Sequence, residues 1–372
     1  MNQKGGKLRQ LLGRVDWLLV GLIGAIAVLG IVNLASASKS TGFEFHVSQS
    51  IWYLLGAGLV GVICVFDYRI FERWAYILYG AVVFLLVAVM FVGTELNGSQ
   101  RWLDFGFFLM QPSELLKIGV VLVAARWFHD QGKAEAYTLR DLVVPFALVG
   151  SGVFLVVQQL ALPTALVILI IFMSMVMFEG LDRTSLIILG LAGLIAVPLG
   201  WNFGMRDYQK QRVLAFLNLT DDQYGASWQV RQSVIAFGSG RIWGKGHREG
   251  TQVKKGFVPE HENDFIAANW GEEHGFAGML VLLMLYTALI LRVLGVAHAA
   301  RDAFGAHVAV GVAAVIFWHV VFNLGMVTGI FPVVGLTLPL LSYGGSSLLT
   351  TMLGLGLVLN VSMRRKPLAG RR

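Results

Sequence analysis

Apolar residues in this chain gather in long runs separated by short polar stretches. About 20 apolar residues cross the hydrocarbon core of a bilayer. Runs of that size lie near 15–37, 49–67, 74–93, 113–129, 141–158, 164–180, 184–202, 275–293, 305–328 and 344–363. The pattern predicts an all-α, polytopic membrane protein of about ten transmembrane helices. Between Leu142 and Trp201 only Gln158, Gln159, Pro163 and the Glu179–Arg183 turn interrupt the apolar sequence, so the division of the fifth to seventh spans is the least defined. The reading is of a single membrane domain over 1–372, with a long loop at 202–273 between the seventh and eighth spans and a broken segment at 329–347.

Composition agrees with the pattern. A share of 56% hydrophobic against 14% charged residues is too apolar for a water-soluble domain. The net charge of +7 invites a nucleic-acid reading, but the placement of the charges answers it. Lys4, Lys7, Arg9 and Arg14 precede the first run, which reads as a membrane helix rather than a cleavable signal. Arg69, Arg73, Arg126, Lys133, Arg140, Arg183, Arg292, Arg301 and the tail Arg364–Lys366 fall on the same side. The short loops of the other side offer only Lys39 and Arg101. The positive-inside rule then places both termini in the cytoplasm. Cys64, the single cysteine, lies within an apolar run and excludes any intramolecular disulfide.

The 202–273 loop falls outside and carries nine basic and nine acidic residues. Long loops of this kind are usually functional. Gly244, Gly246 and Gly250 interleave with Lys245, Arg248 and Thr251, a composition that lets backbone approach an anion while cations neutralise it. Glu260, Glu262 and Asp264 follow just before the chain re-enters the membrane. Cations beside an acid at the lipid–water boundary suit group transfer from a lipid pyrophosphate; solvated surface ion pairs are the plainer alternative. Glu114 and Lys117 lie three apart on one helical face behind Pro112, as a site or as an ion pair fixing the helix entrance. In Phe331–Ser347, Pro332, Gly335, Pro339, Gly344 and Gly345 forbid a continuous helix, so the stretch reads as re-entrant. Its Ser342, Ser346 and Ser347 either bind substrate or satisfy freed backbone. His319 and Asn323, four apart in the ninth span, read as packing groups bonded to each other or to a neighbouring helix. No nucleotide loop or zinc-type spacing appears.

Together these motifs resemble the SEDS family (shape, elongation, division and sporulation). The matching stretches are Gly98–Asp104, Gln111–Lys117, Gly244–Gly246 with Gly250–Gln252, Pro259-Glu260 with Asp264-Phe265, Gly271–Glu273, and Phe331–Ser347. The Gly244–Gln252 stretch favours the elongation branch over the division branch. The resemblance implies a peptidoglycan glycosyltransferase of the bacterial inner membrane, joining disaccharide units of undecaprenyl-linked lipid II into strands on the outer face. It implies that Asp264 is the essential acid. Arg101, Glu114, Lys117, Arg212, Arg241, Lys245, Arg248, Ser342 and Ser346 are the candidate substrate contacts. It also implies a class B penicillin-binding protein as partner, within a complex organised by MreB, MreC and MreD, and it allows a divalent cation such as Mg2+. Two departures stand out. Ala161 and Pro163 occupy places where relatives carry Asp and Gly, and Glu262-Asn263 replaces His-Thr before Asp264. The rival readings are a lipid II flippase, a septal polymerase and a non-catalytic scaffold.

Overall fold

The computed structural model describes residues 13–365, apart from positions 42, 97–98, 107, 134, 206, 218–225, 258–259 and 261. Lys4, Lys7, Arg9, Gly98, Arg206, Pro259, His261 and the tail from Lys366 lie outside the described residues, as do the side chains of Lys39, Arg212 and Lys254.

All the predicted runs are helical. They form α1 (Trp17–Thr41), α2 (Phe45–Val65), α3 (Arg69–Val92), α4 (Pro112–Gln131), α5 (Val143–Gln158), α6 (Leu162–Glu179) and α7 (Arg183–Leu199). After the long loop, which contributes α8 (Asp207–Phe216), α9 (Ala226–Ser239) and α10 (Thr251–Lys254), come α11 (Ile266–His298), α12 (Ala303–Val327) and α13 (Gly345–Met363). Among the described residues, eight helices are long and apolar enough to cross a membrane, and α5 is a shorter apolar one. The chain is a multi-pass membrane protein. Its outer faces carry the large apolar side chains that only hydrocarbon accommodates, such as Leu54, Phe84 and Phe91. Most of α7 is likewise exposed, with only Ser185 buried.

Helix α4 owes its charges to its position. It runs through the middle of the bundle against α3, α12 and α6, and 15 of its 20 residues are buried. Small residues let its neighbours close in: a Cβ on Gly311 of α12 would come within 2.6 Å of Val121. The sequence reading missed the helices α8, α9 and α10 inside the long loop, and it missed a small sheet. Between α3 and α4 the chain folds into a small antiparallel sheet of β1 (Thr94–Leu96), β2 (Ser99–Asp104) and β3 (Leu109–Met110). Its strands are too short for a period-2 signal to show.

The two ends of the bundle differ in chemistry. At one end arginines pair with acids across helices: Arg292 with Asp16 (2.5 Å), Arg126 with Glu72 (2.8 Å), and Arg69 with Asp302 (3.7 Å). In the adjoining 132–142 connection, a hydrogen bond from Lys133, reinforced by the Thr138 N–H and hydroxyl, holds the Asp141 carboxyl at about 2. The opposite end gathers the turn before α11, the small sheet and the irregular stretch before α13.

Helix α11 spans 33 residues, about 50 Å at 1.5 Å per residue, well beyond a bilayer core of roughly 30 Å. It is broken at Gly275 (φ 63°, ψ −162°), so Ile266–His274 forms a separate buried segment ahead of the span. The loop after α9 splints this kink. Lys245 and Gly246 N–H groups donate to the carbonyls of Glu272 and Glu273 (both 3.0 Å). Phe276 and Ala277 N–H donate to the carbonyls of Arg241 and Ile242 (2.8 and 2.9 Å). Orphan groups on both sides of the break are thereby satisfied. Gly244 (φ 82°) makes the approach possible, since a Cβ there would fall 2.0 Å from the Glu273 carbonyl oxygen. Gly244→Ala is therefore expected to destabilise by at least about 1–3 kcal/mol, through strain and overpacking. A lower apparent Tm of the purified protein would register it; an unchanged Tm would mean the splint is dispensable.

Candidate active site

The irregular stretch between α12 and α13 would be costly inside a membrane unless its backbone groups found partners. They do. Asn323 Nδ2 donates to Leu336 O (2.7 Å), and Tyr286 Oη to Pro339 O (2.6 Å). Tyr53 Oη donates to Leu340 O, and Gln49 Nε2 to Ser342 O (3.0 Å). Leu338 N–H donates to Ser342 Oγ (2.7 Å), and Gly344 N–H to Gln49 Oε1 (3.3 Å). The broken segment is thus held by side chains from α2, α11 and α12.

This held segment cradles the turn bearing Asp264. Tyr343 N–H donates to Glu262 O (2.9 Å) and the Ser342 hydroxyl to Asn263 O (2.7 Å). Asn323 Nδ2, already on Leu336 O, also donates to Asp264 O (2.8 Å). Half-buried Asp264 directs its carboxylate at Gly335, where an added Cβ would sit 3.3 Å from Oδ2. Gly335 (φ 70°) therefore supplies both the bend and the clearance above the acid.

On the other side of the same segment lies a buried charged chain. Lys117 Nζ donates to both Glu114 oxygens (2.8 Å each) and lies 2.9 Å from His319 Nε2. An ammonium can only donate, so Nε2 accepts; Nδ1 then carries the proton and donates to Thr337 O (3.0 Å). Thr337 Oγ1 meets Ser347 Oγ at 2.7 Å, and Ser347 also hydrogen-bonds the Glu114 carboxylate. His319 bonds neighbouring helix α4 through Lys117, the second of the two alternatives its spacing offered, rather than Asn323. Both also reach sideways to the broken segment, Asn323 to Leu336 O and His319 to the next carbonyl, Thr337 O. A helical wheel shows the shared face but not the irregular backbone opposite it.

The remaining candidates fall into two groups. Ser342 and Ser346 engage backbone, the latter donating to Leu109 O (2.8 Å) and accepting from Gln111 N–H (3.2 Å), which favours the fold-holding reading. Arg101, on β2, donates to Gln159 O and Leu160 O (2.9 Å each), bracing the α5–α6 turn where Ala161 is buried. Lys245 is bound to fully buried Glu272 (2.6 Å), which also accepts from Thr251 and Gln252 N–H (2.8 and 3.0 Å). Arg241 and Arg248 are exposed at the same end of the molecule. Gln49, Tyr53 and Tyr286 were not singled out in the sequence; each is one polar group in an apolar helix, and that was their only signal.

A Mg2+ ion held by protein alone does not fit around Asp264. Among the described residues, the only three-residue His/Cys/Asp/Glu group close enough to share an ion is His247, Glu273 and His274. Glu260, another acid of the turn, accepts from Asn263 Nδ2 (2.9 Å).

Residues 10–367 match the sequence profile of the cell cycle protein family FtsW/RodA/SpoVE. The chain is 39% identical over 356 residues to the peptidoglycan glycosyltransferase MrdB of Escherichia coli, covering 95% of this chain and 94% of that one. A chain solved in a study of a peptidoglycan synthase complex coordinating polymerization and crosslinking superposes with TM-score 0.81 at 35% identity, covering 94% of this chain and 98% of the other. The rod-shape-determining protein RodA of Thermus thermophilus superposes with TM-score 0.70 at 33% identity, covering 95% and 98%. With the profile matching residues 10–367 and a relative 39% identical over 95% of its length, the chain belongs to the FtsW/RodA/SpoVE family.

Proposed function

We propose that this protein is a peptidoglycan glycosyltransferase that polymerises lipid II during cell elongation, with Asp264 as general base. The observation that carries the reading is a half-buried carboxylate aimed at Gly335, on a turn whose backbone the irregular segment holds, in a family of peptidoglycan glycosyltransferases. The acceptor sugar's 4-hydroxyl gives its proton to Asp264 as its oxygen attacks the donor's anomeric carbon. The bond to the pyrophosphate breaks on the opposite face, so the centre inverts and undecaprenyl pyrophosphate leaves. Exposed Arg241 and Arg248 are the side chains suited to its charge, together with Arg212. Lys245 serves the site indirectly, by fixing Glu272 and the splint. Glu114 and Lys117 shape the cavity through His319 and the broken segment, and Arg101 through the α5–α6 turn.

The arginine-rich end of the bundle then faces the cytoplasm of a bacterial inner membrane, with both termini, and Asp264 faces outward. The 202–273 segment forms the extracytoplasmic loop and 329–347 the re-entrant element of one membrane domain. A class B penicillin-binding protein is the expected partner, supported by the likeness to a chain of a synthase complex; MreB, MreC and MreD would organise the assembly.

The test is reconstitution of the purified chain with its partner in liposomes holding fluorescent lipid II, read for both polymer and translocation. Glycan ladders support the proposal. Translocation without polymer would replace it with the flippase reading.

A further inference from the structure

A second cluster lies away from Asp264, at the splinted kink of α11. His247, Glu273 and His274 place one donor atom each within 4.8 Å of one another. Glu273 is buried, and its Oε1 accepts from the Ser36 hydroxyl of α1. Its Oε2 is buried without a hydrogen-bond partner and lies 3.3 Å from His247 Nδ1. Adjacent Glu272 has Lys245 as counter-ion, whereas among the described residues no Lys or Arg pairs with Glu273. His274 stacks on Trp270 at 3.7 Å, and its Nδ1 lies 3.3 Å from Trp270 O. A backbone carbonyl on one ring nitrogen leaves the other, Nε2, as a bare donor, the usual arrangement behind a metal-ligating histidine.

We propose that His247, Glu273 and His274 bind one divalent transition metal, with Zn2+ the best match. Two imidazoles and a carboxylate are a zinc donor set with a fourth position for water; Mg2+ and Ca2+ prefer oxygen alone. The 3.3 Å between His247 Nδ1 and Glu273 Oε2 is close to the edge of a tetrahedron with bonds of about 2.0–2.1 Å. The ion neutralises the buried carboxylate and staples the 240–248 loop to the end of the first α11 segment. Its role is to lock the splint, not to take part in glycosyl transfer.

The experiment uses the full chain, purified without a polyhistidine tag, stripped with a chelator and titrated with Zn2+ alone. One ion per chain, a zinc absorption-edge spectrum showing two imidazole ligands, and a rise in apparent Tm are expected. His247→Ala, which removes a ring 40% exposed and leaves folding intact, weakens binding at least tenfold and removes the Tm rise; His274→Ala does the same. Absence of stoichiometric binding, a spectrum without imidazole, or equal affinity in both variants would overturn the proposal. Lipid II polymerisation is a separate readout, so either result leaves the glycosyltransferase reading to its own test.

Discussion

Asp264→Asn is expected to lower lipid II polymerisation by roughly 10²–10⁴, the usual worth of a positioned general base. Lipid II binding should change little, because Asn323 still holds the backbone carbonyl of residue 264 in the variant. A gel assay of glycan strands, with binding measured in parallel, separates the two effects. Equal glycan production by both proteins would remove Asp264 from the mechanism. Equal loss of binding and rate would make it a substrate contact instead. Asn keeps the size of the side chain beneath Gly335, so a collapsed turn does not confound the comparison.

Lys117→Met is expected to destabilise the protein by about 3–5 kcal/mol, because it strands the Glu114 carboxylate in the middle of the bundle. It also removes the donor that fixes the His319 tautomer, loosening the contact with Thr337 O. Pairing it with Glu114→Gln should restore much of the thermal stability, since replacing both members of a buried pair is often close to neutral. Polymerisation should stay low in the double variant if the pair shapes the cavity. Full recovery of activity along with stability would reduce Glu114 and Lys117 to a packing device. Thermal unfolding in detergent alongside the polymerisation assay decides between them.

The sequence made the helices legible because membrane spans are written in composition. The break in α11 was not predicted: the apolar run marked only the span from Gly275, whereas helix begins at Ile266. The Glu114–Lys117 pair was legible too, because i, i+3 spacing is a local property. What stayed hidden was long-range. Nothing near Gly244 says that its loop answers the orphan backbone groups of Gly275, so glycines and a lysine that looked like an anion cradle turned out to bind Glu272 and splint a kink. The same holds for Gln49, Tyr53 and Tyr286, whose partners are carbonyls about 53–293 residues away, on a segment with no periodicity to predict its course. Irregular backbone takes its shape from its partners, and those are known only once the bundle is assembled.

A structure of the Asp264→Asn protein with lipid II bound addresses the central claim most directly. The acceptor sugar's 4-hydroxyl should lie within about 2.6–3.2 Å of the residue 264 side chain, with the polyprenyl chain running down the bundle. A sugar seated among the paired arginines at the opposite end, near Arg292 and Arg126, would contradict the account.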